Sequence, residues 1–224
     1  MRIVLVPGFT QTARSWDPVV AALRGSRDTA ALDVPTGLGF VETAHALGDA
    51  GGTATYVGYS AGGRLCLRLA LDRPELIERL VLVSSSPGIA DPTERAARRE
   101  TDEQLAQQIE GDGLDAFLER WLAQPLFASL PGDAAGLEAR ERDPAVLTHA
   151  LRMLGQGAQE PVWDRLGELR KALDLVVGAL DGKYTDIARA MAPRVGAARV
   201  HVLGGAGHAL PLEQPDALAD LLAP

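Results

Sequence analysis

A single cysteine, Cys66, excludes an internal disulfide framework, because a lone thiol has no partner within the chain. A free cysteine behaves as a small hydrophobe, so Cys66 is expected buried on its helix. No apolar run approaches the ~20 residues that a bilayer-spanning helix requires. The chain opens on a strand-like stretch, with no charged and then apolar leader, so a cytoplasmic location is the expectation. There are only four histidines, no metal-ligand spacing and no phosphate-cradling glycine loop. Neither a metal nor an organic cofactor is therefore implied. Positive charge is also in deficit: 22 Lys and Arg against 30 Asp and Glu leave a net charge of −8. That balance argues against a nucleic-acid or anionic-membrane partner and leaves a small-molecule substrate as the expectation. Internal repeats, low-complexity tracts and disordered linkers are absent too, which removes solenoid and linker architectures.

What is present reads as one enzyme-sized α/β unit. The 46% hydrophobic and 23% charged fractions are globular values, and 224 residues can bury a full core. Strand-like runs fall at 3–6, 29–32, 53–57, 80–84, 173–178 and 198–203. Helical patterns fall at 16–23, 40–50, 63–72, 184–191 and 216–222. Such alternation implies a mostly parallel sheet of about six strands with helices on both faces. The alternation breaks across 87–167, which is rich in Glu, Arg, Ala, Gln and Leu. Helices are expected there at 93–110, 114–123, 134–140 and 144–154, with a short one near Trp163. The chain thus divides into a core (1–86 and 168–224) and an inserted helical cap (87–167).

Gly58-Tyr59-Ser60-Ala61-Gly62 fits G-x-S-x-G between a strand and a helix, the pattern of a nucleophile elbow. Alone the pentapeptide is a weak signal, since a bland Gly/Ser turn has the same letters. A serine hydroxyl needs a base, and the base needs an orienting acid, in the chain order Ser, acid, His. His45 precedes the elbow, His149 lies in a helical stretch and His201 sits inside an apolar strand run. His208 follows Gly204-Gly205-Ala206-Gly207 directly after a strand, so it is the expected base. Asp181-Gly182 follows the strand run ending at Leu180, and Asp181 is the expected acid. Asp174 begins that strand, the wrong end for a site on a parallel sheet. Asp186 reads as helix-opening. For an oxyanion hole, one backbone N–H should come from Ala61 and a second from Phe9 or Thr10, with Phe9 preferred. Pro7 cannot donate.

Over its whole length the chain resembles the α/β-hydrolase superfamily. Within it, the chain is similar to the 2-succinyl-6-hydroxy-2,4-cyclohexadiene-1-carboxylate (SHCHC) synthases of menaquinone biosynthesis. The likeness is carried by Gly58 to Arg64, by Ser85-Ser86-Pro87-Gly88-Ile89, and by Glu94 to Asp102. It is most specific at Phe117-Leu118-Glu119-Arg120-Trp121 with Gln124-Pro125-Leu126-Phe127, and it continues through Gly155-Gln156-Gly157, Gln159-Glu160-Pro161 and Asp181-Gly182-Lys183-Tyr184. The resemblance implies a lyase: the serine, activated by His and Asp, takes a proton from a substrate rich in carboxylates, and pyruvate is eliminated. Arginines suit such a substrate because guanidinium binds carboxylate bidentately. Arg64, Arg98 and Arg140 are the expected contacts, with Tyr59 and Trp121 as pocket walls. Arg95, Arg99 and Arg142 lie close enough in sequence to substitute for the cap arginines. The chain departs from the family at Pro7-Gly8-Phe9, where His-Gly-Phe is usual, and at Asp33-Val34-Pro35-Thr36-Gly37. The competing expectations are a carboxylesterase or other small-molecule serine hydrolase, and a non-catalytic binding protein on the same fold. Oligomeric state is not written in the sequence.

Overall fold

Six short apolar runs become strands in the computed structural model, which describes residues 2–23, 28–132 and 136–223. They are β1 (Arg2–Val6), β2 (Asp28–Ala31), β3 (Ala54–Tyr59), β4 (Ile77–Val83), β5 (Leu173–Gly178) and β6 (Ala198–Leu203). The sheet order is β2-β1-β3-β4-β5-β6, and every neighbouring pair is parallel. A parallel sheet must be covered on both faces, and alternate residues show how. Ile3 and Leu5 point into a cluster with Trp16, Val19, Leu218 and Leu222. Val4 and Val6 point into the opposite cluster, with Leu47, Leu65 and Leu69. The first face is covered by α1 (Asp17–Ala22) and α9 (Pro215–Leu222), the second by α2 (Phe40–Gly51), α3 (Ala61–Asp72) and α7 (Gly182–Met191). A short helix, α8 (Leu210–Glu213), precedes α9. Cys66 is buried within the second face, and burial pushes its thiol well above the usual range.

The expected strands and core helices all form, with shifted ends. β4 starts at Ile77 and stops at Val83, because Ser84 turns the chain into the left-handed region at φ +46. α3 starts at Ala61, so its first turn follows Ser60 directly.

Between β4 and β5 the chain leaves the sheet to build the helical cap. Its helices are α4 (Pro92–Asp112), α5 (Leu114–Leu122) and α6 (Pro144–Leu154); Gly113 alone separates the first two, and 3₁₀ turns at Pro125–Phe127 and Leu137–Ala139 lie between the last two. The starts of α4 and α6 follow from local chemistry. Asp91 accepts from the N–H groups of Thr93 and Glu94, Asp143 accepts from Ala145, and a proline follows each at the first helical position. The three helices meet in a separate apolar cluster of Ala106, Ile109, Leu114, Phe117, Leu118, Leu147 and Leu151. The helix expected at 134–140 is not found. Residues 134 and 135 lie outside the described residues, Leu137–Ala139 is one 3₁₀ turn, and Arg140 is extended. Arg140 instead pairs with Gln11 in an antiparallel bridge to the loop after β1, so a tertiary contact overrides local helix propensity.

At the amino end of β5, Asp174 is buried beneath two arginines and a histidine. Arg79 Nε is 2.6 Å away, Arg199 Nε 2.9 Å and His201 Nε2 2.7 Å. Burial alone would raise this carboxyl, but hydrogen bonds from Arg199, His201 and Arg79 outweigh it and hold it below the usual range. A depressed carboxyl contributes stability that is present above the unfolded value of about 3.9 and is lost as pH falls through the folded value. Asp174→Ala should therefore lower urea-unfolding stability at neutral pH by about 2–3 kcal/mol, less than a fully buried pair because Arg199 is largely exposed. The deficit should shrink as pH is lowered below about 4. A midpoint matching the wild type at pH 7 would show that the cluster carries no net stability.

Candidate active site

The strand order reverses between β1 and β3, and the loops leaving their carboxyl ends meet there. Ser60 follows β3 directly, at φ +49, a value that non-glycine residues rarely adopt. Its backbone is pinned on both sides. Ser60 N–H donates to Val83 O at 2.8 Å, and Ser85 Oγ donates to Ser60 O at 2.9 Å. The turn closes tightly because its neighbours lack side chains. A Cβ on Gly58 would lie 2.5 Å from Gly63 Cα, and one on Gly62 would run into the carbonyl oxygens of Val6 and Pro7. Ala61 is the first residue of α3, so its N–H lies at a helix end that has no intrahelical acceptor to offer.

Ser60, His208 and Asp181 are joined in series. His208 Nε2 is 3.1 Å from Ser60 Oγ, and His208 Nδ1 is 2.7 Å from Asp181 Oδ2. A carboxylate only accepts, so Nδ1 carries the proton and Nε2 presents its lone pair to the serine hydroxyl. Asp181 also caps α7, its Oδ1 accepting from Tyr184 N–H at 3.2 Å. His208 is 2% exposed. Its loop is tied by Glu213, whose two carboxylate oxygens accept from Gly207 N–H and Ala209 N–H on either side. This arrangement can take a proton from the hydroxyl and return it.

Above Ser60 lies a cavity of about 480 Å³ between sheet and cap. It is lined by Phe9, Thr10, Tyr59, Ser60, Ala61, Arg64, Arg98, Trp121, Arg140 and His208, among others. All the site residues expected from sequence except Asp181 thus face one space, and Asp181 touches it through His208. The cap alternatives do not line it. Arg95 pairs with Glu160, and Arg142 with Asp115 at 2.6 Å, both on the surface.

The three cavity arginines differ in electrostatics. Arg64 is buried and donates to Gln159 Oε1 (2.9 Å) and to the Leu154 carbonyl (2.8 Å), both neutral acceptors. Burial pulls its pKa down to about 10. Arg98 already holds the buried carboxylate of Asp102 at 2.7 Å, and it reaches Gln156 Oε1 at 3.2 Å. Arg140 is buried against Thr10, its Nη1 donating to Thr10 Oγ1 at 2.5 Å, and burial lowers its pKa as well. Trp121 Nε1 is buried without a hydrogen-bond partner. Tyr59 packs on Gly8 and lies 5.4 Å from the His208 ring, and burial pushes its phenol far up.

Several cavity residues were not expected from sequence. The Tyr184 ring lies 4.6 Å from His208, tilted by 50°, and its hydroxyl accepts from Gln156 Nε2 at 3.0 Å. Lys183 lines the mouth. His149, read from sequence only as part of a helical stretch, lines the cavity and donates from Nε2 to Leu38 O at 3.0 Å, joining α6 to the core. Gln156, Lys183 and Tyr184 stand inside the segments that carry the family likeness, and that position was the available signal.

The chain belongs to the alpha/beta hydrolase family, whose family model matches residues 3–221. Within that family it is SHCHC-synthase-like. It is 31% identical to the 2-succinyl-6-hydroxy-2,4-cyclohexadiene-1-carboxylate synthase of Enterobacter sp. (strain 638), over 99% of this chain and 90% of that enzyme. A relative from Bacillus subtilis (strain 168) is 34% identical over 71% of this chain, a stretch that spans 60% of the relative's own length. Among solved structures, MenH from S. aureus superposes with a TM-score of 0.93 at 25% identity, covering 99% of this chain and 91% of that one.

The space closed off by backbone around Gly62 gives the elbow a direct test. Gly62→Ala should cost about 3 kcal/mol in urea unfolding, at the upper end for overpacking, because only backbone can move aside. Wild-type stability in that variant would mean that α3 can shift away from β1 without loss.

Proposed function

We propose that this chain is a Ser-His-Asp enzyme acting on a small molecule rich in carboxylates, eliminating pyruvate in the manner of an SHCHC synthase. The observation that carries this reading is Arg64: a buried guanidinium in the cavity with Ser60, whose hydrogen bonds among the described residues go to neutral acceptors. A buried cation without a counter-charge is costly, and a substrate carboxylate resolves that cost. Arg98 and Arg140 extend the positive lining in a protein whose net charge is −8. A neutral ester asks for none of this.

In this reading His208 takes the Ser60 hydroxyl proton, and the serine oxygen removes a proton from the substrate carbon. The electron pair left behind expels the pyruvate unit as its C–O bond breaks. Asp181 keeps the proton on His208 Nδ1 and offsets the imidazolium charge. The Ala61 and Phe9 N–H groups receive the developing oxyanion. Tyr59 and Trp121 wall the pocket, Trp121 offering its free indole N–H. Residues 87–167 act as the cap unit over the core formed by 1–86 and 168–224. The setting is cytoplasmic, and neither nucleic acid nor membrane takes part; the acidic balance supports this, and among the described residues no helix is long and apolar enough to cross a membrane.

A lesser reading, a carboxylesterase, draws on the serine–histidine geometry and on apolar lining such as Leu126, Val146 and Leu147. Pyruvate release from freshly generated SHCHC-synthase substrate separates the two. Wild type should turn over, Ser60→Ala should fall to background, and Arg64→Ala should lose about 100-fold in kcat/KM, as expected for a buried charge contact of about 3 kcal/mol. No pyruvate, together with short-chain ester cleavage that needs Ser60 and not Arg64, would sink the lyase reading in favour of the esterase.

A further inference from the structure

The loop after β1 adopts a conformation that its own sequence does not favour. Gln11 N–H closes a four-residue turn on Gly8 O at 3.2 Å, and the third residue, Thr10, has φ +70. Turns of this kind place glycine or asparagine at that position; a β-branched residue there is an outlier that its surroundings must hold.

The surroundings that hold it are almost all cap. Thr10 O accepts from Glu141 N–H at 2.9 Å, and Thr10 Oγ1 accepts from buried Arg140 at 2.5 Å. Two residues on, Thr12 N–H and Thr12 Oγ1 both donate to Ala139 O, at 2.9 and 3.0 Å. The Phe9 ring lies edge-on to Trp121 of α5 at 5.1 Å.

From this geometry we infer that Thr10 is a positioning residue through which the cap sets the oxyanion hole. The inference rests on reading Ser60 as the reactive group. Relaxing Thr10 to negative φ rotates the Phe9–Thr10 peptide and shifts the backbone of a loop that lines the cavity together with Ser60, the loop assigned above to the second oxyanion donor. Arg140 thus serves twice. It meets a substrate carboxylate, and it holds the threonine hydroxyl that keeps the loop in its strained form. The cap in this arrangement both selects the substrate and completes the catalytic geometry beneath it.

The test uses Thr10→Val, which keeps the branched shape and removes the hydroxyl, beside Thr10→Ser, which keeps the hydroxyl. The main readout is the rate at which a neutral p-nitrophenyl phosphonate labels Ser60. In that reaction Ser60 Oγ bonds to phosphorus, p-nitrophenolate leaves, and His208 takes the serine proton. The reagent carries no carboxylate, so its rate reports the oxyanion hole and not the grip of Arg140 on substrate. Thr10→Val should label about 10-fold more slowly, a fraction of the roughly 10²–10³ lost with an entire oxyanion donor. Thr10→Ser should recover to within about 3-fold of wild type, since its hydroxyl still meets Arg140. In steady state the valine variant should lose kcat by a similar factor while KM stays within about twofold. Should valine prevent folding, Thr10→Ala carries the same comparison with a smaller side chain. Wild-type labelling in Thr10→Val or Thr10→Ala overturns the inference, as does a serine variant as slow as the valine one. Absence of pyruvate release by the wild type would overturn the lyase reading alone, because phosphonate labelling still reports the coupling.

Discussion

The close approach of α3 to the sheet is the constraint on which the site depends. Gly58 and Gly62 leave no Cβ between helix and strand, so the chain can reverse within one residue, and that residue is Ser60. A φ of +49 at a serine costs on the order of 1–3 kcal/mol. The cost is offset where the turn is tied down, by Ser60 N–H to Val83 O and by Ser85 Oγ to Ser60 O. Much else follows from the sharpness of this turn. The hydroxyl stands at the carboxyl end of β3, beside the point where the strand order reverses. The first N–H of α3 falls next to it. One helical turn later, Arg64 is carried into the same cavity.

Charge in the cavity is arranged so that its cations are not equivalent. Arg98 has Asp102, a buried carboxylate that also accepts from Gly157 N–H, so its charge is already balanced. Arg64 has only carbonyl oxygens, one from the Gln159 side chain and one from the Leu154 backbone. Neutral acceptors satisfy the geometry of a guanidinium but not its charge. Arg64 is fixed in direction by neutral acceptors and lies 5.7 Å from the Phe40 ring, and the nearby carboxylate of Asp102 is hydrogen-bonded to Arg98 instead. Both acceptors belong to the cap and the segment leaving it, so the cap aims a core arginine even though the two are 90 or more residues apart in sequence.

The core was legible in the sequence because its signals are local. Alternating apolar runs such as Arg2–Val6 and Leu173–Gly178 form strands wherever they occur. The elbow pentapeptide is a turn whose glycines are needed within five residues of the serine. Asp181 and His208 were readable because each follows its strand at once. The cap read less well, since its decisive contacts join distant segments. Residues 134–140 looked helical by composition, but the backbone of Arg140 pairs with Gln11 and its side chain enters the cavity. No periodicity announces such a contact. His149 likewise looked like one residue of an amphipathic helix, and only the folded chain brings it to Leu38 O, 111 positions away. Arg64, Arg98 and Arg140 were reached through family likeness; charge patterning alone does not separate them from Arg95 or Arg142.

The two ends of the site are made rigid by different means. Ser60 is held by backbone packing, which tolerates no side chain at Gly58 or Gly62, two residues to either side. His208 is held by carboxylates. Asp181 fixes the ring through Nδ1 while its other oxygen caps α7, so the residue that sets the tautomer is itself anchored to a helix end. Glu213 grips the peptide N–H groups on either side of His208 and fixes where the ring begins. Neither carboxylate lines the cavity: both accept from backbone donors or the imidazole. The cavity is lined by Arg64, Arg98 and Arg140 and also by Asp33, Asp102 and Glu141, and Asp102 is already held by Arg98. Asp181 and Glu213, the acids that orient His208, stand outside that lining, so under the proposed reading a polycarboxylate meets the arginines without facing those two carboxylates.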